Sequence, residues 1–241
     1  MDAHAANHHE HASLEQLVAR VPLFSQLTAD QLHDVAGRVR PRRFEAGEQL
    51  YGAGDTVPTL MILHSGRVKI YRITESGHEQ VIRVLEAGDF LGETMFMSGA
   101  PADHFAATVE TTDLCTIHHD DVRDYLLRFP SVAVTMLETL SDRLGDTERQ
   151  LSSLVGDGAE HRVAHYLLDL AQTAGNTSQG STTQGATTLQ LPIAKKDIAS
   201  YLGLTPETLS RKLSQFDDAG WIRLHPRRRI DLIDSAALAA L

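Results

Sequence analysis

Cysteine is nearly missing from this chain: Cys115 is its single thiol in 241 residues. A lone cysteine excludes an internal disulfide framework and suits a reducing cytoplasm, where the protein is expected to reside. Long hydrophobic runs are missing as well. No apolar stretch approaches the roughly 20 residues of a membrane span, and the N-terminus is polar, without a hydrophobic signal region. No membrane partner is expected. Phosphate loops and dinucleotide fingerprints are absent, since the glycines near Gly52 and Gly92 have neither spacing. No Ser or Cys stands in a nucleophile signature. A metal-dependent jelly-roll enzyme, the enzymatic alternative, needs an H-x-[DE] pair on inward strand positions and a distant His. His64 is followed by Ser-Gly and His78 lies on a turn, so that pattern is absent too. No enzyme is expected.

Positive charge is scarce overall, and the formal net charge is −10. Its distribution is uneven. Met1–Leu154 carries 13 Lys+Arg against 23 Asp+Glu, whereas Pro192–Arg229 carries 8 against 4. Within that basic segment lies DIASYLGLTPETLSRKL, from Asp197 to Leu213. Ile198, Ala199 and Leu202 form one apolar stripe, and Leu209 and Leu213 another. Gly203 falls where a helix must stop and turn. Thr205 is placed to N-cap a second helix with Pro206 at N1. That helix is expected to present Glu207, Thr208, Ser210, Arg211 and Lys212 outward, groups that suit base edges and phosphates. The pattern is a helix-turn-helix whose second helix fits a major groove; an ordinary helix pair with a solvated charged face has the same spacing. Modest local charge favours binding as a dimer.

Along the chain, Met1–Ala12 is a His-rich tail. His4, His8, His9 and His11 are candidate metal ligands, or a plain polar tail. Ser13 with Gln16, and Thr28 with Gln31, make capping boxes. From about Arg40 short alternating runs take over: Phe44–Ala46, Gln49–Tyr51, Thr59–His64, Arg67–Ile73, Gln80–Leu85, Ala106–Glu110 and Asp113–His118. Glycines punctuate them, which predicts a sandwich or barrel. His118 to Asp121 reads as a turn and N-cap. A long helix is expected from Ser131 to Leu154. Leu137, Leu144 and Leu151 fall every seven residues, with Leu140, Thr147 and Leu154 three after each, so a short coiled coil or a core helix is predicted. Val155–Gly158 is a hinge, and Asp157 with Glu160 caps a helix over His161–Ala171. Thr173–Thr188 is rich in Gly, Ser and Thr and predicts a flexible loop. Leu189–Leu191 is a short strand. Trp221–Leu224 and Ile230–Ile233 alternate like two strands of a wing, with Arg227, Arg228 and Arg229 at the tip as phosphate partners.

YLGLTPETLSR resembles the DNA-binding motif of the Crp/Fnr regulators, and is most similar to the Fnr branch. The resemblance runs from about Leu14 to the C-terminus. It implies an α+β chain: a His-rich tail (1–12), an effector-sensing double-stranded β-helix jelly roll like a cyclic-nucleotide-binding domain (13–130), a dimerisation helix (131–155) and a winged helix-turn-helix domain (156–241). It further implies that Glu207, Ser210 and Arg211 read one half-site of a palindrome. By the same resemblance Leu137, Leu140, Leu144, Thr147, Leu151 and Leu154 line a homodimer interface, and RNA polymerase is a partner. In the cyclic-AMP branch a cassette grips the nucleotide. Gly92 and Glu93 match its start, but the phosphate-binding Arg is missing. Asp103, His104 and Phe105 stand there, and no other Arg or Lys lies in the Gly88–Thr108 loop. Thr147 and Glu148 replace the Thr-Ser pair that meets the base. Cyclic AMP is therefore not the expected effector, a cyclic-nucleotide-responsive regulator being the alternative. Gly92, Glu93, Thr94, His104 and Thr147 remain the candidate pocket. Cys115 aligns with one ligand of the Fnr iron–sulfur set and the other three are missing. A metal ion or haem held by Cys115 with His8, His9 and His11 stays open, as does Cys115 as a plain apolar strand residue. A transcription regulator answering a metal, haem, redox or metabolite signal is expected.

Overall fold

The computed structural model describes residues 14–176, 182–183 and 186–241. The tail histidines and the Ser13 cap lie outside the described residues. The chain divides into two units. The first runs to Ser76 and resumes from Ile82 to Leu144; the second comprises Gly77–Val81 and Gly145–Leu241.

The first unit begins with α1 (14–19), a 3-10 turn at Pro22–Phe24 and α2 (Ala29–Arg38). The Thr28 capping box is made: the Gln31 N–H donates to Thr28 Oγ1 at 3.4 Å, and the Thr28 N–H donates to Gln31 Oε1 at 2.9 Å. Eight strands follow: β1 (Arg40–Phe44), β2 (Gln49–Tyr51), β3 (Thr59–Ser65), β4 (Val68–Ile73), β5 (Glu79–Leu85), β6 (Phe90–Leu91), β7 (Phe105–Thr108) and β8 (Thr112–His118). They form two four-stranded sheets, β1-β8-β3-β6 and β2-β7-β4-β5, the two faces of the expected roll. Three helices accompany them: α3 (Glu93–Ser98), α4 (His119–Arg128) and the start of α5 (Pro130–Gly156). His118 caps α4, accepting from the Asp120 N–H at 3.3 Å.

Strand alternation divides this unit into two cores. Met61 and Leu63 of β3 and Leu114 of β8 pack with Tyr51, Ile70, Leu85 and Leu91 inside the roll. Their neighbours Leu60, Ile62, Cys115 and Ile117 face the other way, against Val18, Phe24, Val35, Tyr125 and Met136. β3 is therefore apolar on both faces, and its burial pattern is nearly continuous.

The second unit holds the rest of α5, α6 (Ala159–Asn176), β9 (Thr182–Thr183), β10 (Ala186–Gln190), α7 (Lys195–Tyr201), α8 (Pro206–Asp218), β11 (Ile222–Leu224), β12 (Arg229–Leu232) and α9 (Ser235–Ala239). Its sheet order is β11-β12-β10-β9.

Two expectations need correction. The first strand is Arg40–Phe44, not Phe44–Ala46. RPRRF lies on a sheet edge with four exposed residues, so it carries no apolar alternation to read. The Thr173–Thr188 loop is shorter than expected: α6 continues to Asn176, and β10 starts at Ala186 because Thr187 and Thr188 pair with Leu232 and Asp231.

The turn between β3 and β4 rests on Gly66, at φ 81°. A Cβ there would lie 2.6 Å from the Thr111 carbonyl oxygen, inside contact distance of fixed backbone. Gly66→Ala is expected to destabilise the roll by about 1–3 kcal/mol in urea unfolding, from the left-handed backbone and the crowding at Thr111. An unchanged midpoint would show that the turn relaxes freely.

Candidate nucleic-acid interface

One apolar stripe decides which way α8 turns its side chains. Leu209, Leu213 and Phe216 are buried at helical spacing. The opposite face forms a shallow open surface lined by Pro206, Glu207, Ser210, Arg211 and Ser214. Glu207, Ser210 and Arg211 are exposed there, and their side chains have no partner among the described residues. Thr205 starts the helix, its Oγ1 accepting from the Thr208 N–H at 3.2 Å, with the two hydroxyls 3.0 Å apart. Both threonines thus serve the cap. α7 buries Ile198 and Ala199, and the Leu204 N–H closes the turn onto the Ala199 carbonyl at 2.8 Å. Gly203 takes φ 63°, and a Cβ there would sit 2.7 Å from Leu154 Cδ2.

Lys212 corrects the expected outward set. Its Nζ donates to Glu160 Oε2 at 2.8 Å, and its side chain is only 18% exposed. The reason is helical period: Lys212 stands three after Leu209 and four before Phe216, on the flank of the buried stripe. Ser214, four after Ser210, is a face residue that the same period would have revealed. Lys195 and Lys196, at the start of α7, are exposed and also without side-chain partners; only the local charge excess pointed to them.

The wing is built as expected. β11 and β12 pair with Leu224 opposite Ile230. Arg227, Arg228 and Arg229 are exposed at its tip. Behind them the Asp231 carboxylate is bonded by His225 Nε2 at 2.6 Å and by the Thr188 hydroxyl at 2.8 Å. The His225 hydrogen bond, above all, holds the Asp231 carboxyl below its usual range.

In the roll, the cassette residues meet partners from within the protein. Gly92 precedes α3, and a Cβ there would lie 2.7 Å from the Thr59 carbonyl oxygen. The carboxylate of Glu93 accepts from Arg143 of α5 at 3.1 Å. The same guanidinium donates to Asp89 at 3.2 Å and to the Phe90 carbonyl at 2.8 Å, and lies 4.4 Å from the centre of the Phe90 ring. Arg143 and Glu93 are 10% and 15% exposed, so the pair is largely removed from water. Thr94 is exposed on α3 and does not line the interior, a correction to the expected pocket. With Nδ1 donating to Asp103 at 2.8 Å, His104 accepts at Nε2 from the Tyr51 hydroxyl at 2.9 Å. Arg72 pairs with Asp103. Burial first, and then the Glu93 charge, raise the pKa of the Tyr51 hydroxyl. Thr147 is exposed on the part of α5 that belongs to the second unit.

Cys115 is 1% exposed, between Pro41 of β1 and Ile62 of β3 in register. It sits in the helix-facing core, and burial pushes its thiol up to about 12. Among the described residues no cluster of His, Cys, Asp and Glu is arranged to hold a metal. That burial suits a plain apolar role for Cys115. On α5, Leu137, Leu144 and Leu151 are 66%, 61% and 62% exposed, with Val134 and Val155 exposed too. The intervening positions diverge. Leu140 packs on the first unit's core, Thr147 is exposed and Leu154 lies against Gly203. Of the six residues expected, only Leu140 is taken up by a core; Leu154 is still 37% exposed.

A Crp-like helix-turn-helix domain matches residues 161–241, and a cyclic nucleotide-binding domain matches residues 41–129. The fumarate and nitrate reduction regulatory protein of Escherichia coli is 30% identical over 236 residues, 98% of this chain and 90% of that protein. The chain belongs to the Crp/Fnr family. A probable transcriptional regulator, flp, of Lacticaseibacillus casei is 32% identical over 82% of this chain and 85% of its own length. A CooA mutant from Carboxydothermus hydrogenoformans superposes with a TM-score of 0.74 at 25% identity, over 86% of this chain and 89% of that one. As a Crp/Fnr protein this chain is a transcription regulator with a DNA-binding helix-turn-helix and a sensory domain of cyclic-nucleotide-binding type; it is not an enzyme. Crp/Fnr regulators act as dimers. With one cysteine, this member lacks the Fnr iron–sulfur set. Among the described residues, no helix is long and apolar enough to cross a membrane.

Arg143→Gln leaves the Glu93 and Asp89 carboxylates without their cation. Urea unfolding is expected to show a loss of about 3 kcal/mol, the lower end for a broken buried pair. Arg143→Lys, which keeps charge but not the fork, is expected to lose less. Equal stability in all three proteins would mean that solvent, not Arg143, satisfies Glu93. For Cys115, Ellman's reagent is expected to find no reactive thiol until the protein is unfolded; rapid native labelling would contradict its burial.

Proposed function

We propose that a homodimer of this chain binds a palindromic promoter site, each α8 lying in a major groove with the half-sites one helical turn, roughly 34 Å, apart. The carrying observation is the row Glu207, Ser210 and Arg211 on the open face of α8, without partners inside the protein. Arg211 forks onto guanine, Glu207 accepts from a cytosine amine and Ser210 adapts to either. Thr205 and Thr208 fix the start of the helix at the phosphates. Arg227, Arg228 and Arg229 hold backbone phosphates from the wing, and Lys195 and Lys196 add to them. Lys212 positions the helix through Glu160 and reads no base.

The dimer forms along the free stripe of α5, Val134, Leu137, Leu144, Leu151 and Val155. Residues 13–130 serve as the sensory roll, 131–155 as the dimerisation helix and 156–241 as the DNA-binding domain. The protein works in the cytoplasm, and RNA polymerase is its further partner. The signal is not cyclic AMP. Glu93 is already neutralised by Arg143, and Asp103 holds the place of a phosphate-binding cation. A metabolite, a redox change, or a metal or haem at the N-terminal histidines is the class of signal that remains.

Selection of binding sites from a random duplex pool tests this reading. Arg211→Ala is expected to cost about 1–3 kcal/mol and to relax preference at one base pair per half-site. Lys212→Ala leaves the preferred sequence unchanged. A loss spread evenly over all sequences would refute Arg211 as a base reader, and a rise in melting temperature with cyclic AMP would overturn the assignment of the signal.

A further inference from the structure

The wing tip holds the only non-glycine residues with positive φ among those described. Arg227 and Arg228 take it in succession, at 59° and 64°. Consecutive left-handed residues in a hairpin loop are ordinarily Asn or Gly, because a Cβ crowds the backbone there. Two arginines persist in this geometry only if the surroundings enforce it. Three hydrogen bonds do so. The His225 N–H donates to the Arg229 carbonyl at 3.0 Å, and the Leu191 N–H donates to the Arg228 carbonyl at 2.8 Å. Gln190 Nε2 donates to the Arg227 carbonyl at 2.9 Å. The end of β10 thus fastens both left-handed carbonyls, and Gln190 lies opposite Arg229 in the β10–β12 register. With the carbonyls turned onto β10, both arginine side chains are exposed and have no partner among the described residues.

We infer that this tip is a pre-organised clamp for two phosphates of a DNA backbone, with Gln190 as its positioning residue. The inference rests on the DNA-binding reading above and adds a role for a side chain that touches no DNA itself. The backbone that carries the two guanidinium groups is set before binding, so less loop freedom is lost when phosphates are engaged. A freely solvated turn with three arginines would need no such fastening.

The test uses the full chain, a random-sequence duplex and the dependence of affinity on salt. Arg227→Gly with Arg228→Gly removes both cations and the left-handed cost. The slope of log affinity against log salt is expected to become shallower by about 1.8, two phosphate contacts' worth. The melting temperature is expected to hold or rise. Gln190→Met keeps the length and both arginines but cannot donate. It is expected to weaken duplex binding several-fold and flatten the slope by about one contact, 0.9, with the same preferred sequence and unchanged circular dichroism. A wild-type slope in the double variant, or Gln190→Met binding like wild type, overturns the clamp while leaving the helix-turn-helix reading intact. A double variant that melts lower than wild type overturns the enforced backbone. Wild-type protein that binds no duplex at low salt overturns the DNA reading itself, and the clamp with it.

Discussion

The rotation of α8 about its own axis is the constraint on which the DNA-facing surface depends. Burial of Leu209, Leu213 and Phe216 sets it, at about 1.5–3 kcal/mol for each side chain. An ion pair such as Lys212 with Glu160 contributes at most about 1 kcal/mol where it meets solvent, so it trims the helix position without choosing it. Once the stripe is buried, Glu207, Ser210, Arg211 and Ser214 have no direction left but outward. The Thr205 cap sets where that face begins, and the Gly203 turn sets how α7 meets it. Sliding the stripe by one residue would rotate each of these exposed groups by about 100°.

A second balance governs the roll. Its cassette keeps the glycine and carboxylate that begin a nucleotide grip, yet spends them internally. Arg143 reaches Glu93, Asp89 and the Phe90 carbonyl at once, and stacks on the Phe90 ring. A carboxylate so enclosed needs a cation, and this one comes from α5. Across the roll, Asp103 is matched by Arg72 and His104, and His104 by Tyr51. The Glu93, Asp89 and Asp103 carboxylates each have a cationic partner already. The apolar interior beneath is filled by Met61, Leu63, Ile70 and Leu85.

Elements with local causes were legible in the chain. The Thr28 capping box, the His118 cap, the Gly203 turn, the Thr205 start of α8 and the wing strands each depend on groups within a few residues of one another. The heptad leucines Leu137, Leu144 and Leu151 likewise declared an apolar face, because helical period is a property of neighbours. Edge strand β1 escaped notice because RPRRF offers nothing apolar to alternate, and β6 because two residues carry no period. Thr187 and Thr188 looked like loop because their partners, Leu232 and Asp231, come more than forty residues later.

By itself the sequence determined the helix-turn-helix, the outward row on its second helix and the absence of the phosphate-binding arginine. Those are matters of spacing, capping and composition, and they act over one or two turns of chain. Only the tertiary structure decided that Lys212 faces Glu160, that Leu140 belongs to a core and that Cys115 is sealed beneath helices. It alone brought Arg143 to a carboxylate fifty residues away, and Gln190 to a wing carbonyl 37 residues on. Such pairings depend on which buried faces meet, and desolvation, which makes them strong, exists only after the chain has folded.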